Sequence, residues 1–215
     1  MQKTSCSHDQ ELRQRQKLLS MSPERLGQFG ESVWKNVLAA SGWYYVPLAN
    51  ICDGGAPLAR RNGEALILPD FDACRDGRSL FVEAKAKKQS ILYRRIGKER
   101  HGINERNYQH YRQIAREYGK RMAIAILELQ SEFQARRLQW SGALLIETFN
   151  NLGRAEPGDF REPQPKVYWN RKQFRELQAG LDASELLDIA NGKWCPSFAI
   201  ELDGIFFPQK QAELF

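Results

Sequence analysis

Residues 64–88 restrict what this chain can fold into more than any other stretch. Leu66, Ile67 and Leu68 open an apolar strand that runs into Asp70. Arg75-Asp76-Gly77-Arg78 supplies an Asp-Gly turn, and Leu80, Phe81 and Val82 begin a returning strand. The pattern predicts a β-hairpin. Side chains alternate between the faces of a strand. Glu83 and Lys85 therefore share one face, and Asp70 and Asp72 share one face of the partner strand. Pairing the two strands brings two or three carboxylates and one lysine together at the strand ends.

Carboxylates beside apolar strands are costly unless something neutralises them. A hard divalent cation does so, and Mg²⁺ is usually held by one or two carboxylates, waters and substrate phosphate oxygens. In such a place a metal activates water and stabilises developing phosphoryl charge. A lysine, as a compact point charge, orients the attacking water or contacts the phosphate. The spacing thus suits phosphodiester hydrolysis. A plainer alternative is a solvated hairpin in which Lys85 pairs with one of the acids.

The charge distribution favours a polyanionic substrate. The net charge is +6, and residues 1–130 hold 22 lysines and arginines against 14 acids, while residues 131–215 hold 10 against 12. The basic excess lies beside the carboxylates. No run approaches the roughly 18 apolar residues of a membrane span. The first residues are polar and include Asp9 and Glu11, unlike a signal peptide. The four cysteines (Cys6, Cys52, Cys74 and Cys195) show no zinc spacing. A reduced, cytoplasmic setting is the expectation.

Residues 1–21 read as a polar arm. Residues 22–42 predict a helix, with Ser22 as N-cap, Pro23 in the first turn, an apolar stripe of Leu26, Phe29, Val33 and Val37, and Gly42 as the stop. Trp43-Tyr44-Tyr45-Val46 reads as a strand. Residues 48–63 read as a loop, whose Arg60 and Arg61 are candidate phosphate contacts. After the hairpin, Lys85, Lys87, Lys88, Arg94, Arg95, Lys98 and Arg100 are opposed only by Glu99 and interrupted by Tyr93 and Ile96. Basic residues interleaved with an aromatic suit a nucleic-acid backbone. Residues 104–118 predict a second helix, ended by Gly119, with Tyr108, Tyr111, Ala115 and Tyr118 on one stripe and Arg112 and Arg116 on another face. Arg112 joins the candidate nucleic-acid contacts. His110 reads as a surface histidine. Arg121–Leu129 reads as a buried strand. Beyond it, 138–146 is an apolar strand or helix, 156–166 a loop, and 197–207 a strand.

Pro69-Asp70, then twelve residues, then Glu83-Ala84-Lys85 resembles the PD-(D/E)XK signature of restriction-endonuclease-like nucleases. The order helix, strand, hairpin, helix, strand over 22–130 is similar to that family's α-β-β-β-α-β core. The resemblance implies an α/β fold: a mixed β-sheet flanked by helices, with residues 131–215 as an accessory α+β extension packed on the core. It implies a Mg²⁺-dependent deoxyribonuclease, Mn²⁺ serving as substitute, with Asp70 and Glu83 as metal ligands and Lys85 positioning the nucleophilic water. The helix before the hairpin often carries a glutamate that joins the metal site, and Glu31 stands in that place. Asp72 is the reserve for Asp70. DNA repair, recombination, restriction or mobile-element processing all fit. A non-catalytic nucleic-acid-binding module on the same fold is the alternative. The last residues, Gln211-Ala212-Glu213-Leu214-Phe215, resemble the peptide by which bacterial replication and repair proteins bind the DNA sliding clamp. Gln211, Leu214 and Phe215 would be its anchors, and a clamp-recruited interaction protein is a third reading. The sequence leaves the oligomeric state open, and a homodimer is compatible with it.

Overall fold

The computed structural model describes residues 13–14, 16–18, 20–48, 58–61, 64–88, 91–93, 98–134, 137–158, 164–196 and 199–207. Helix α1 spans Pro23–Ala40. The Ser22 side chain accepts from the Arg25 N–H, and Pro23 occupies the first turn, where no N–H is needed. Its buried stripe is Leu26, Phe29, Gly30, Val33, Trp34, Val37 and Leu38. Strand β1 (Tyr44–Pro47) follows, and β2 (Leu58–Arg61) pairs with β3 (Glu64–Ile67) in a separate two-stranded ribbon.

The hairpin itself is β4 (Phe71–Arg75) and β5 (Arg78–Lys87). Asp76 and Gly77 both have positive φ, 49° and 72°, as the two-residue turn between twisted antiparallel strands requires. The expectation that Leu66–Leu68 forms the first strand of this hairpin is corrected here. Leu66 and Ile67 pair with β2 instead. Pro69, which lacks an N–H and restricts the residue before it, separates the two strands. Asp70 therefore stands at the entrance to β4, its carbonyl accepting from the Leu48 N–H at 2.9 Å.

From β5 the chain passes through β6 (Ile91–Tyr93) and β7 (Lys98–Asn104) into helix α2 (Glu105–Tyr118). Asn104 caps the helix start by accepting from the Arg106 N–H, and Gly119 closes its end at φ 62°. Strand β8 (Arg121–Gln134) then pairs parallel to β5, and β9 (Arg137–Thr148) returns antiparallel. After the short helix α3 (Phe149–Leu152) come β10 (Glu156–Pro157), β11 (Lys166–Asn170) and β12 (Arg175–Leu181). The main sheet has the order β1-β4-β5-β8-β9-β12, so residues beyond 131 supply two of its strands. A second sheet has the order β10-β11-β7-β6. Two helices end the described chain, α4 (Ala183–Ala190) and α5 (Ala199–Phe206). The fold is the mixed α/β sheet flanked by helices that the sequence implies. Among the described residues no helix is long and apolar enough to cross a membrane.

Three local readings are revised. Residues 199–206 form a helix rather than a strand, because Leu202, Ile205 and Phe206 bury together at helical spacing and Phe206 meets Trp43 edge-on at 5.2 Å. Glu156 and Pro157, read as loop, pair with β11. His110, read as a surface histidine, accepts the Ile67 N–H at Nδ1 (3.0 Å), which ties the β2–β3 ribbon to α2.

The sheet separates two cores. Leu80, Val82, Ala84, Ala123, Ala125 and Leu127 face α1, α4 and α5. Phe81, Met122, Ile124, Ile126 and Leu145 face α2 and the second sheet, together with Tyr108, Tyr111, Ile114 and Trp169. The approach of α1 to β5 is set by Gly30. A Cβ there would lie 2.8 Å from the Ala86 Cβ and 3.2 Å from the Ala86 nitrogen. Helix propensity alone makes Ala about 1 kcal/mol better than Gly. We expect the opposite sign for Gly30→Ala: a loss of about 1–3 kcal/mol from the forced shift of α1, read as a lower Tm. An unchanged or raised Tm would refute the close approach.

Candidate active site

Strand β5 carries Glu83, Lys85 and Lys87 on the face that α2 covers, and hydrocarbon on the other. The register places Phe71 opposite Val82, so Asp70 falls level with Glu83. Its Oδ2 accepts the Ala84 N–H at 2.7 Å. The Lys85 ammonium donates to Glu83 Oε1. Glu83 is 1% exposed, and its Oε2 is buried without a hydrogen-bond partner. Glu31 follows Gly30 on α1 and is near enough for its charge to act on Asp70 and Lys85. Tyr111, from α2, sets its hydroxyl beside Glu83, and the Asn107 amide donates to that hydroxyl at 3.4 Å.

The electrostatics follow from three carboxylates sharing one ammonium. Burial, then the charge of Glu83, pushes the Asp70 carboxyl up to about 8, although Lys85 opposes them. Burial also raises Glu31, with Lys85 opposing and Glu83 reinforcing. Burial alone would lower Lys85, but Glu83, Asp70 and Glu31 outweigh it and hold the ammonium charged. Burial and the neighbouring carboxylate of Glu83 raise the Tyr111 hydroxyl well above its ordinary value. Lys87 is pushed down to about 8 by burial, then by Lys85 and Lys166.

Two other buried carboxylates show what a fuller set of partners looks like in this chain. Glu128 has His101 Nε2 2.5 Å away and accepts from Arg171 Nε at 2.9 Å. Burial raises it, yet those bonds hold it below its ordinary value. Glu147 accepts from the Thr148 N–H at 2.8 Å and from the Asn151 amide at 2.7 Å, with Arg175 at 3.6 Å. The Glu31-Asp70-Glu83 group has no comparable set of donors. Among the described residues no three His, Cys, Asp or Glu side chains already converge on one ligating point; Glu83 is turned to Lys85 and Asp70 to the backbone.

The structure thus brings together Glu31, Asp70, Glu83 and Lys85. Asp72 lies apart, its carboxylate held by Lys120 at 2.5 Å. Lys87 continues the Lys85 face and Lys88 is exposed just beyond β5. Arg112 is exposed on α2, its guanidinium 5.5 Å from the Tyr108 ring. Arg100 is buried and paired with Glu156, because β7 sits between β11 and β6 and turns that side chain inward. Arg60 and Arg61 lie on β2 and Lys98 begins β7, with their side chains outside the described residues. Arg94, Arg95, Gln211, Leu214 and Phe215 lie outside them altogether. Tyr111 is the site residue that sequence reasoning passed over. It reads as one more member of an apolar stripe, and the signal was only that a tyrosine keeps a polar tip.

No protein-family model matches the sequence, and no curated protein matches it. A structure of Hjc, a Holliday junction resolvase from the archaeal hyperthermophile Archaeoglobus fulgidus, is similar to this chain at 14% identity. The likeness covers 69% of this chain and 91% of that one, with a TM-score of 0.41.

The raised Asp70 carboxyl has a stability consequence. A carboxyl whose folded pKa lies above its unfolded value favours the fold fully below the unfolded value, near 4. That contribution is lost as pH rises toward the folded value of about 8. Asp70→Asn keeps an acceptor for the Ala84 N–H and removes the charge. Its stability relative to the parent is expected to grow by up to about 1 kcal/mol per pH unit between pH 5 and 8, measured by urea titration. Parallel pH profiles would exclude a strained Asp70.

Proposed function

We propose that this chain is a divalent-metal-dependent deoxyribonuclease with a PD-(D/E)XK-type site. The supporting observation is the cluster of buried Glu83 with half-buried Asp70 and Glu31, three carboxylates that one lysine cannot neutralise. A divalent cation fits it. The donors are hard oxygens, the buried Glu83 Oε2 has no hydrogen-bond partner, and the Asp70 charge is strained without a cation. Mg²⁺ suits such donors, and Mn²⁺ serves as a substitute. Bound there, the cation supplies an activated water and stabilises charge on the phosphodiester.

Asp70 and Glu83 hold the cation in this reading, and Glu31 supports it directly or through water. Lys85 keeps its proton among the three carboxylates. It orients the nucleophilic water and faces the phosphate oxygens as a point charge. Tyr111 fixes the orientation of Glu83 from the α2 side. Lys87 and Lys88 continue from the catalytic lysine as backbone contacts. Arg100 takes no such part, being held by Glu156. The product chemistry is hydrolysis of one phosphodiester by in-line attack of water, in repair, recombination, restriction or mobile-element processing.

Cleavage of linear, circular, branched and single-stranded DNA with Mg²⁺, Mn²⁺ or EDTA tests the reading. Cutting should need the metal and fall about 10²–10⁴-fold in Lys85→Ala. Without substrate, Mn²⁺ should raise the Tm of the parent at pH 8 and leave Asp70→Asn unmoved. Full cleavage by Lys85→Ala would sink the catalytic assignment. DNA binding with no cleavage by the parent would favour a binding module on this fold.

A further inference from the structure

A cleft of about 750 Å³ opens between the C-terminal half of α2, the start of β8 and the α3 turn. Arg112, Arg116, Lys120, Arg121 and Arg154 line it, and no aspartate or glutamate does. Two of the five are engaged elsewhere. Lys120 is held by Asp72, and Arg121 donates to the Phe206 carbonyl at 2.6 Å. Arg112 lies over the Tyr108 ring. Arg116 and Arg154 make no ion pair among the described residues. The arginines left over gather in a concave place whose wall carries no acid, an arrangement that favours the entry of an anion.

The kind of anion follows from what the cleft offers. Its volume is far larger than one inorganic phosphate needs. The Tyr108 and Phe149 rings on its wall are taken up by each other and by Trp169, at 5.3–5.8 Å. They present no open platform for a base to stack on. The open chemistry is a set of guanidiniums, which match phosphate oxygens and carry no base readout. The cleft is distinct from the carboxylate site. In the parallel register Arg121 is level with Leu80 and Ile124 with Glu83, so three residues, about 10 Å of strand, separate the two levels.

We infer that this cleft is a second anchor for the phosphodiester backbone of a nucleic acid, gripping a part of the substrate beyond the bond that is cut. The inference builds on the nuclease reading for its substrate, but its test does not depend on cleavage. A labelled DNA duplex is titrated in EDTA at several salt concentrations. In Arg116→Ala/Arg154→Ala the Kd should rise about tenfold and the log–log salt slope should fall by about 2, near 0.9 for each phosphate that is no longer neutralised. Arg116→Lys/Arg154→Lys should keep the slope. The control Arg25→Ala/Lys193→Ala, which removes the same charge from exposed positions elsewhere, should stay within about twofold of the parent. An unchanged Kd and slope in the Arg116/Arg154 alanine variant would overturn the inference, as would an equal loss in the control. So would a Tm rise with inorganic pyrophosphate that this alanine variant abolishes while DNA binding is unaffected, since the cleft would then take a small phosphate compound. If the parent never cleaves DNA but the Arg116/Arg154 alanine variant still loses binding, the nuclease reading fails and the anchor stands.

Discussion

Strand β5 lies in the interior of the sheet, antiparallel to β4 on one side and parallel to β8 on the other. A strand in that position normally carries hydrocarbon on both faces. Here one face is Leu80, Val82 and Ala84, and the other turns from Phe81 to Glu83, Lys85 and Lys87 partway along. Charges so placed are tolerable only when they balance at close range. Lys85 is the ion on which that balance turns. Gly30 lets α1 come close enough for Glu31 to reach it. Pro69 stops β3 and swings Asp70 to the level of Glu83. Tyr111 closes the group from the α2 side. Without the ammonium, the carboxylates would have to take up protons to stay in place, as Asp70 already tends to do near neutral pH.

The treatment of buried carboxylates elsewhere gives that imbalance its meaning. Glu128 is fully buried and acquires a histidine and an arginine, so it stays ionised below its ordinary range. Glu147 acquires a backbone N–H, an amide and a nearby arginine. They lie on β8 and β9, the two strands that follow β5 across the sheet, and a chain that satisfies these has the means to satisfy Glu83. Leaving Glu83 Oε2 without a donor and Asp70 strained is a local cost in stability. Such costs are expected where a site must bind something that the empty chain cannot supply.

What could be read in the sequence was what is local. The Asp76-Gly77 turn, the Ser22 cap, the Gly119 stop and the Glu83-Ala84-Lys85 face depend on neighbours within a few residues. The strand partner of the hairpin was misplaced because Leu66–Leu68 is apolar enough for a strand; only the ladder shows that it belongs to the β2–β3 ribbon. Arg100 reads as an available charge because β7 gives no hint in sequence that Glu156 will hold it. Residues 197–207 alternate well enough to suggest a strand, and the packing of Phe206 on Trp43 decides otherwise. The hydroxyl of Tyr111 and the gathering of Arg116 with Arg154 depend on how α2 crosses the sheet, which no single segment encodes.

That crossing is not optional. Parallel pairing of β5 with β8 requires the chain to return to the starting edge by a crossover, and α2 is the helix of that connection. Its distance from Glu83 is therefore set by the sheet and not by a flexible loop. The fold uses each side of this obligatory element. Tyr111 turns inward to the carboxylates, His110 holds the β2–β3 ribbon through Ile67, and Arg112 and Arg116 stand one turn apart on the outer flank. On the reading proposed here, a rigid helix thus fixes the separation between the hydrolytic centre and the backbone anchor. A substrate gripped at the cleft would meet the carboxylates at a set reach, and positioning of that kind is where a phosphodiester hydrolase gains much of its rate.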